Sequence, residues 1–208
     1  MKLTLLFENL LREADGIDGK DFLVVDIQPE YESGFKYWLN DFIEFINKNY
    51  IKFNNLVFYY NGADTVGSMN EQEYVWWWIE NGLNERVVET SKFYDKGYAF
   101  FRYCMDEGID DEEIVNLVKS MIHYNINDSR ELDEDFWEEF IENYGNHNIR
   151  ELLEYSDDMI NIPELMDDLK QYNNIVICGG GMNECLKEVN IALDVLDKNY
   201  QILNKYVF

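Results

Sequence analysis

The stretch Asn174-Ile-Val-Ile-Cys-Gly-Gly-Gly-Met-Asn-Glu-Cys185-Leu-Lys-Glu-Val189 decides the fold. It predicts a buried strand, a glycine turn and a helix that opens at Cys185. A helix start has unpaired N–H groups and partial positive charge. A cysteine held there is a candidate nucleophile. A second apolar run, Phe22-Leu-Val-Val-Asp26-Ile-Gln28, stops at a carboxylate. One strand ending in an acid and another leading to a thiol point to a site at the carboxyl edge of a parallel sheet.

Working outward, strand and helix signals alternate. Leu56–Tyr60 is the next strand. Phe35 to Tyr50 repeats Phe35, Trp38, Leu39, Phe42, Phe45 and Ile46 at helical spacing. Glu71–Glu80 reads as a helix, Arg86–Phe93 as a weaker strand and Tyr98–Glu107 as a helix ending at Gly108. Pro163–Tyr172 and Glu184–Lys198 read as helices, and Tyr200–Phe208 as a last strand. This alternation predicts a three-layer α/β sandwich with a mostly parallel sheet. Trp76, Trp77 and Trp78 cannot all share one helix face, because neighbours point about 100° apart. Core packing is expected for two of them. Cys178, inside its strand, is expected to be core.

The segment 106–168 differs in composition. It holds 21 of the 42 acids, and its only lysine or arginine residues are Lys119, Arg130 and Arg150. Helical patches at Glu112–Tyr124, Asp133–Tyr144 and Ile149–Tyr155 without strand signals predict an acidic helical insertion within one α/β domain over 1–208. Its apolar residues Val115, Val118, Phe136, Phe140, Leu152 and Leu153 should face the core or a second subunit.

The chain has 208 residues and a net charge of −25. Nucleic acid and anionic membrane are therefore not expected as partners, since phosphate repels such a surface. A basic protein is the compatible macromolecular partner. The three cysteines, Cys104, Cys178 and Cys185, are odd in number and lack a C-x-x-C spacing, so neither a disulfide framework nor a zinc site is expected. Residues 1–14 have leucines at helical spacing interrupted by Glu8, Arg12 and Glu13, the pattern of an amphipathic helix rather than a leader. A cytoplasmic protein is the expectation.

These residues resemble the isochorismatase-like cysteine hydrolases, the superfamily that includes nicotinamidases. Val24-Val-Asp26-Ile-Gln28 is similar to the end of that family's first strand. Gly179-Gly-Gly-Met182-Asn-Glu-Cys185-Leu186 is similar to its cysteine motif, with Met182 where the family has threonine. Asp95-Lys96-Gly97-Tyr98 resembles its lysine region. The resemblance implies Cys185 as nucleophile, Asp26 as base and Lys96 as the residue that stabilises the thiolate, with Lys92 competing for the last role. It further implies an oxyanion or substrate pocket near Gly181, Met182 and Gln28. The substrate would be a small molecule with a C–N or ester bond, and the chain a homo-oligomer. Two departures stand out. The spacing of 185 − 96 = 89 residues exceeds the family's, with 106–168 supplying the excess. No histidine follows the second strand, so no metal and no cofactor are expected. High asparagine content and only two prolines suggest an AT-rich, viral source, which would put the protein in host cytoplasm.

Two other functions compete. One is a diverged, non-catalytic member that binds a protein through its acidic segment. The other is a PIN-like nuclease holding Mg²⁺ through Asp26, Asp64 and Asp95. If the acids mostly face water, their mutual repulsion is screened by salt. The melting temperature should then rise between low and moderate NaCl; a steady fall would mean that the acids are paired with cations.

Overall fold

Side chains of consecutive strand residues point to opposite faces, and Phe22, Leu23, Val24 and Val25 are all fully buried. Such a strand belongs inside a sheet. In the computed structural model, which describes residues 16–62, 69–95, 99–106, 108–123 and 162–208, this is what β1 (Asp21–Val25) does. It pairs in parallel with β2 (Asn55–Tyr60) on one side and β4 (Ile175–Gly179) on the other. β3 (Lys92–Asp95) and β5 (Tyr200–Ile202) complete an all-parallel sheet of order β3-β2-β1-β4-β5. The three apolar runs read as strands are therefore parallel neighbours, with β1 between the other two.

Contacts divide the chain into two compact units. One is Met1–Lys96, Tyr172–Met182 and Asn199–Phe208; the other is Gly97–Gln171 and Asn183–Lys198. The sheet belongs to the first. Phe22 and Val24 of β1, Phe58 of β2 and Val176 and Cys178 of β4 share a face and join a core with Phe35, Phe42, Ile46, Trp78 and Tyr206. The Phe42 and Tyr206 rings lie 4.9 Å apart, as do those of Phe58 and Trp78. Aromatic pairs at such distances add to the stabilisation that area burial gives.

The helical run expected over Phe35–Tyr50 is two helices, α1 (Glu32–Phe35) and α2 (Leu39–Asn49). Between them Trp38 N–H bonds Phe35 O, an i→i+3 turn that tightens the chain. The third helix, α3 (Glu71–Glu80), has the expected bounds because a capping box fixes its start. Glu73 N–H donates to the Asn70 side chain, and Asn70 N–H donates to the Glu73 carboxylate, each at 3.0 Å. Trp78 is buried, Trp77 is half-buried with its ring 6.0 Å from that of Phe35, and Trp76 is exposed.

Two strand expectations need correction. The strand expected over Arg86–Phe93 is a helix, α4 (Glu85–Thr90), followed by β3. Asn84 caps that helix by accepting from Arg86 N–H at 2.9 Å, and this local cap overrides the β-branched Val87-Val88 pair. The last strand stops at Ile202, and Asn204–Tyr206 turn as a 3₁₀ segment that delivers Tyr206 to the core.

The second unit contains α5 (Ala99–Asp106), α6 (Asp111–His123), α7 (Ile162–Lys170) and α8 (Cys185–Val195). The described parts of the acidic segment are helical. Ile114, Leu117 and Val118 form the buried stripe of α6, and Val115 is half-buried beside it. On α6, Asp111 meets Lys187 and Lys119 meets Asp197, both at 2.7 Å. Phe136, Phe140, Leu152, Leu153 and the residues at 1–14 lie outside the described residues.

At the amino end of β1, Asp21 is buried and gathers three donors. Asn54 Nδ2 and Asn55 Nδ2 reach Oδ1 at 2.8 and 2.7 Å, and Asn173 N–H reaches Oδ2 at 2.6 Å. These bonds tie the starts of β1, β2 and β4 together. Hydrogen bonds to a charged group contribute about 1.5–3 kcal/mol each and are not additive. Asp21→Ala should therefore cost about 3 kcal/mol in urea unfolding; a loss below about 1 kcal/mol would show that the three strand starts hold together without it.

Candidate functional site

β1, β2 and β3 step outward to one side, whereas β4 returns to the other side of β1. The crevice at the carboxyl ends of β1 and β4 is therefore the topological switch point, where open α/β sheets bind ligands. Asp26 stands there, directly after β1. It is fully buried and has a φ of 47°, a left-handed conformation that aspartate tolerates better than most residues. Its N–H donates to Tyr59 O at 2.9 Å, which carries the β1–β2 pairing one residue beyond the strand.

The loops around Asp26 are fastened by side chains. Gln28 is buried; its Oε1 accepts from Asn61 N–H at 2.9 Å, and its Nε2 lies 3.5 Å from Asn61 O. The Gln28 amide is thus engaged in joining the loops after β1 and β2. Tyr74 Oη donates to Ile27 O at 3.0 Å. Burial pushes the Tyr74 phenol well above its usual range, and the nearby Asp26 carboxylate adds to that shift. Asp95, at the end of β3, accepts from Gly62 N–H at 2.9 Å.

After β4, geometry demands glycine. Gly179 has a φ of 78°, and a Cβ there would lie 2.2 Å from Val25 O. Gly180 also has positive φ. Phe208 N–H donates to Gly180 O at 3.1 Å, and Met182 N–H donates to Phe208 O at 3.0 Å. The Met182 amide is therefore committed to Phe208, while its side chain is 40% exposed. Of the residues expected to line the oxyanion pocket, Gly181 is buried between these two bonds.

Cys185 belongs to the second unit. It is the first residue of α8 and is 5% exposed. Glu188, one turn on, shares its helix face and is also buried. Arg102 of α5 reaches both: Nε lies 2.5 Å from Glu188 Oε1, and Nη2 lies 3.7 Å from Cys185 Sγ. Burial works against the charge on Arg102, but its hydrogen bond and ion pair with Glu188 outweigh that, with Cys185 and Glu184 adding to them, so its pKa is raised. Composition and motif spacing missed Arg102. The one available signal was the i, i+3 placement of Cys185 and Glu188, which marks a shared face that needs a cation.

Asp26 and Cys185 thus fall in different units, and Lys96 lies outside the described residues. Lys92 is described. It opens β3, with its Nζ 3.5 Å from Tyr172 Oη and 5.1 Å from that ring's centre. Three residues separate it from the strand's end, about 10 Å at strand rise, so it stands back from the edge that carries Asp26. Among the described residues no group of three His, Cys, Asp or Glu side chains is placed to hold a metal ion; Asp64 lies outside them. No described helix is long and apolar enough to cross a membrane. No protein-family model, curated protein or solved structure matches the chain.

All three cysteines are free thiols. Burial pushes Cys104 up to about 12 and Cys178 well above its usual range, so both stay neutral and unreactive near pH 7.5. Iodoacetamide at that pH, followed by peptide mass analysis, should modify Cys185 well before the other two. Equal and slow labelling of all three would remove Cys185 as a reactive thiol.

Proposed function

We propose that this chain is a cysteine hydrolase of the isochorismatase-like type, acting on a C–N or ester bond of a small molecule. The observation that carries this reading is the Arg102 guanidinium 3.7 Å from the Cys185 sulfur, at the first residue of a helix. A cation and a helix start both favour the thiolate form of a cysteine, and the thiolate is the attacking species. In this reading Cys185 Sγ adds to the substrate carbonyl, the amine or alcohol leaves with a proton, and water releases the acid from the thioester. The resemblance assigns the proton transfer to Asp26 and a second cation to Lys96. Within the second unit Arg102 faces the sulfur, with Glu188 holding its guanidinium in place.

A second reading, a non-catalytic module that binds a basic protein, is favoured by the low exposure of Cys185 and by the net charge of −25. There the cluster of Arg102, Glu188 and Cys185 is an internal lock between two helices. A PIN-like nuclease has no support in the described acids, which form no metal-binding group.

The two readings separate on the sulfur. A panel of small amides and esters should be turned over by the wild-type chain, and Cys185→Ser should lower the rate at least ~10³-fold, the scale seen when a nucleophile is removed. Turnover equal in wild type and Cys185→Ser would place the chemistry elsewhere. Arg102→Met should slow iodoacetamide labelling of Cys185 about tenfold and lower stability by about 2–4 kcal/mol, since it leaves Glu188 buried without its cation. Lower stability with an unchanged labelling rate would favour the lock.

A further inference from the structure

The turn after β4 is held by a residue 26 positions further along the chain. Phe208 N–H bonds Gly180 O, and Phe208 O accepts from Met182 N–H. This reciprocal pair is how a residue of a parallel ladder grips the two neighbours of the residue opposite it, here Gly181. Upstream, Leu203 N–H bonds Ile177 O at 2.9 Å, so the segment leaving β5 keeps alongside β4. The 3₁₀ turn at Asn204–Tyr206 then buries Tyr206 among Trp38, Phe42 and Phe45.

The Phe208 ring has a seat of its own. A Cβ on Gly34 would lie 2.5 Å from Phe208 Cδ2 and 2.7 Å from Cγ, so only glycine at 34 lets the ring settle on α1. Phe35 and Tyr31 flank it, with ring centres 5.9 and 6.3 Å away. Nothing in the β5 ladder requires these contacts. They fix where the Phe208 backbone stands, and that backbone fixes Gly180–Met182.

We propose that Phe208 is a positioning residue for the switch-point turn: its ring, docked on Gly34, clamps Gly181 through the reciprocal bonds to Gly180 and Met182 and so sets the course of the backbone that leaves β4 beside the carboxyl end of β1. The turn itself has little to hold it. Beyond the paired Gly179, Gly180 has positive φ and neither Gly180 nor Gly181 has a side chain to pack, so an unclamped turn would sample several conformations. The inference rests on the reading of this edge as part of the functional site, and it concerns backbone position, which can be measured without a substrate.

Amide hydrogen exchange on the full chain tests it. Phe208→Ala removes the ring, and Gly34→Ala keeps the ring but takes away its seat. In both variants the Met182 amide should exchange at least tenfold faster than in wild type. The Asp26 amide, bonded to Tyr59 O in the same sheet, serves as control and should keep its wild-type rate. Phe208→Leu, which keeps an apolar side chain to seat on Gly34, should restore most of the Met182 protection. Wild-type exchange at Met182 in both variants would overturn the clamp. Equal acceleration at Met182 and Asp26 would overturn it too, since the ring would then support the whole sheet rather than position the turn. Neither result depends on Cys185, whose labelling in the wild-type chain tests the hydrolase reading separately.

Discussion

The absence of room at Gly179 governs the edge of this sheet. With Val25 O 2.2 Å from where a Cβ would stand, the β1 carbonyl fills the space that a side chain at 179 would need, and only glycine permits it. The constraint is mutual. Val25 lies opposite Gly179 on one side and opposite Tyr59 on the other, so β1 is held by main-chain bonds along both edges and cannot shift. Asp26 follows immediately and inherits that fixed position. Its left-handed backbone then turns the chain out of the strand, and the next residues meet partners that staple them: Tyr74 on Ile27 and Asn61 on Gln28. The sheet's two ends thus rest on different chemistry. At the amino end a buried carboxylate, Asp21, collects three donors from the segments that open β2 and β4. At the carboxyl end backbone closeness does the work and leaves Asp26 in the crevice.

The strand signals were legible because they rest on burial, which a continuous apolar run reports directly. β1, β2 and β4 needed no partner to be recognised, and neither did the core role of Cys178. The start of α3 was legible because Asn70 and Glu73 form a local capping box. Arg86–Phe93 misled for a matching reason: β-branched residues suggest a strand, but a single asparagine cap three residues before Val87 decides for helix. Phe35–Tyr50 shows the apolar period correctly and still hides the tight turn at Lys36–Trp38, because periodicity reports which face is buried and not whether the axis is continuous.

The site was only partly legible. Asp26 could be read because a carboxylate at the end of an apolar strand is conspicuous. The commitments of Gln28 and Met182 could not, since both are made to the main chain of distant residues, Asn61 and Phe208, and main-chain partners leave no trace in side-chain identity. Arg102 was hidden differently. It sits on another helix, 83 residues before Cys185, and only the fold brings it to Cys185 and Glu188.

Charge shows which of these pairs matters. The pairs Lys119–Asp197 and Lys187–Asp111 are largely solvated, and such pairs contribute at most about 1 kcal/mol. Arg102–Glu188 differs because Glu188 is nearly inaccessible, with a side chain 4% exposed, while Arg102 keeps about a third of its side chain in contact with water. A buried carboxylate is costly unless paired, and the guanidinium supplies such a partner. In turn, Glu188 fixes Nε and so orients the far end of the fork, Nη2, toward the sulfur. A lysine has no second donor to offer in a fixed direction and could not hold the carboxylate and face the thiol at once.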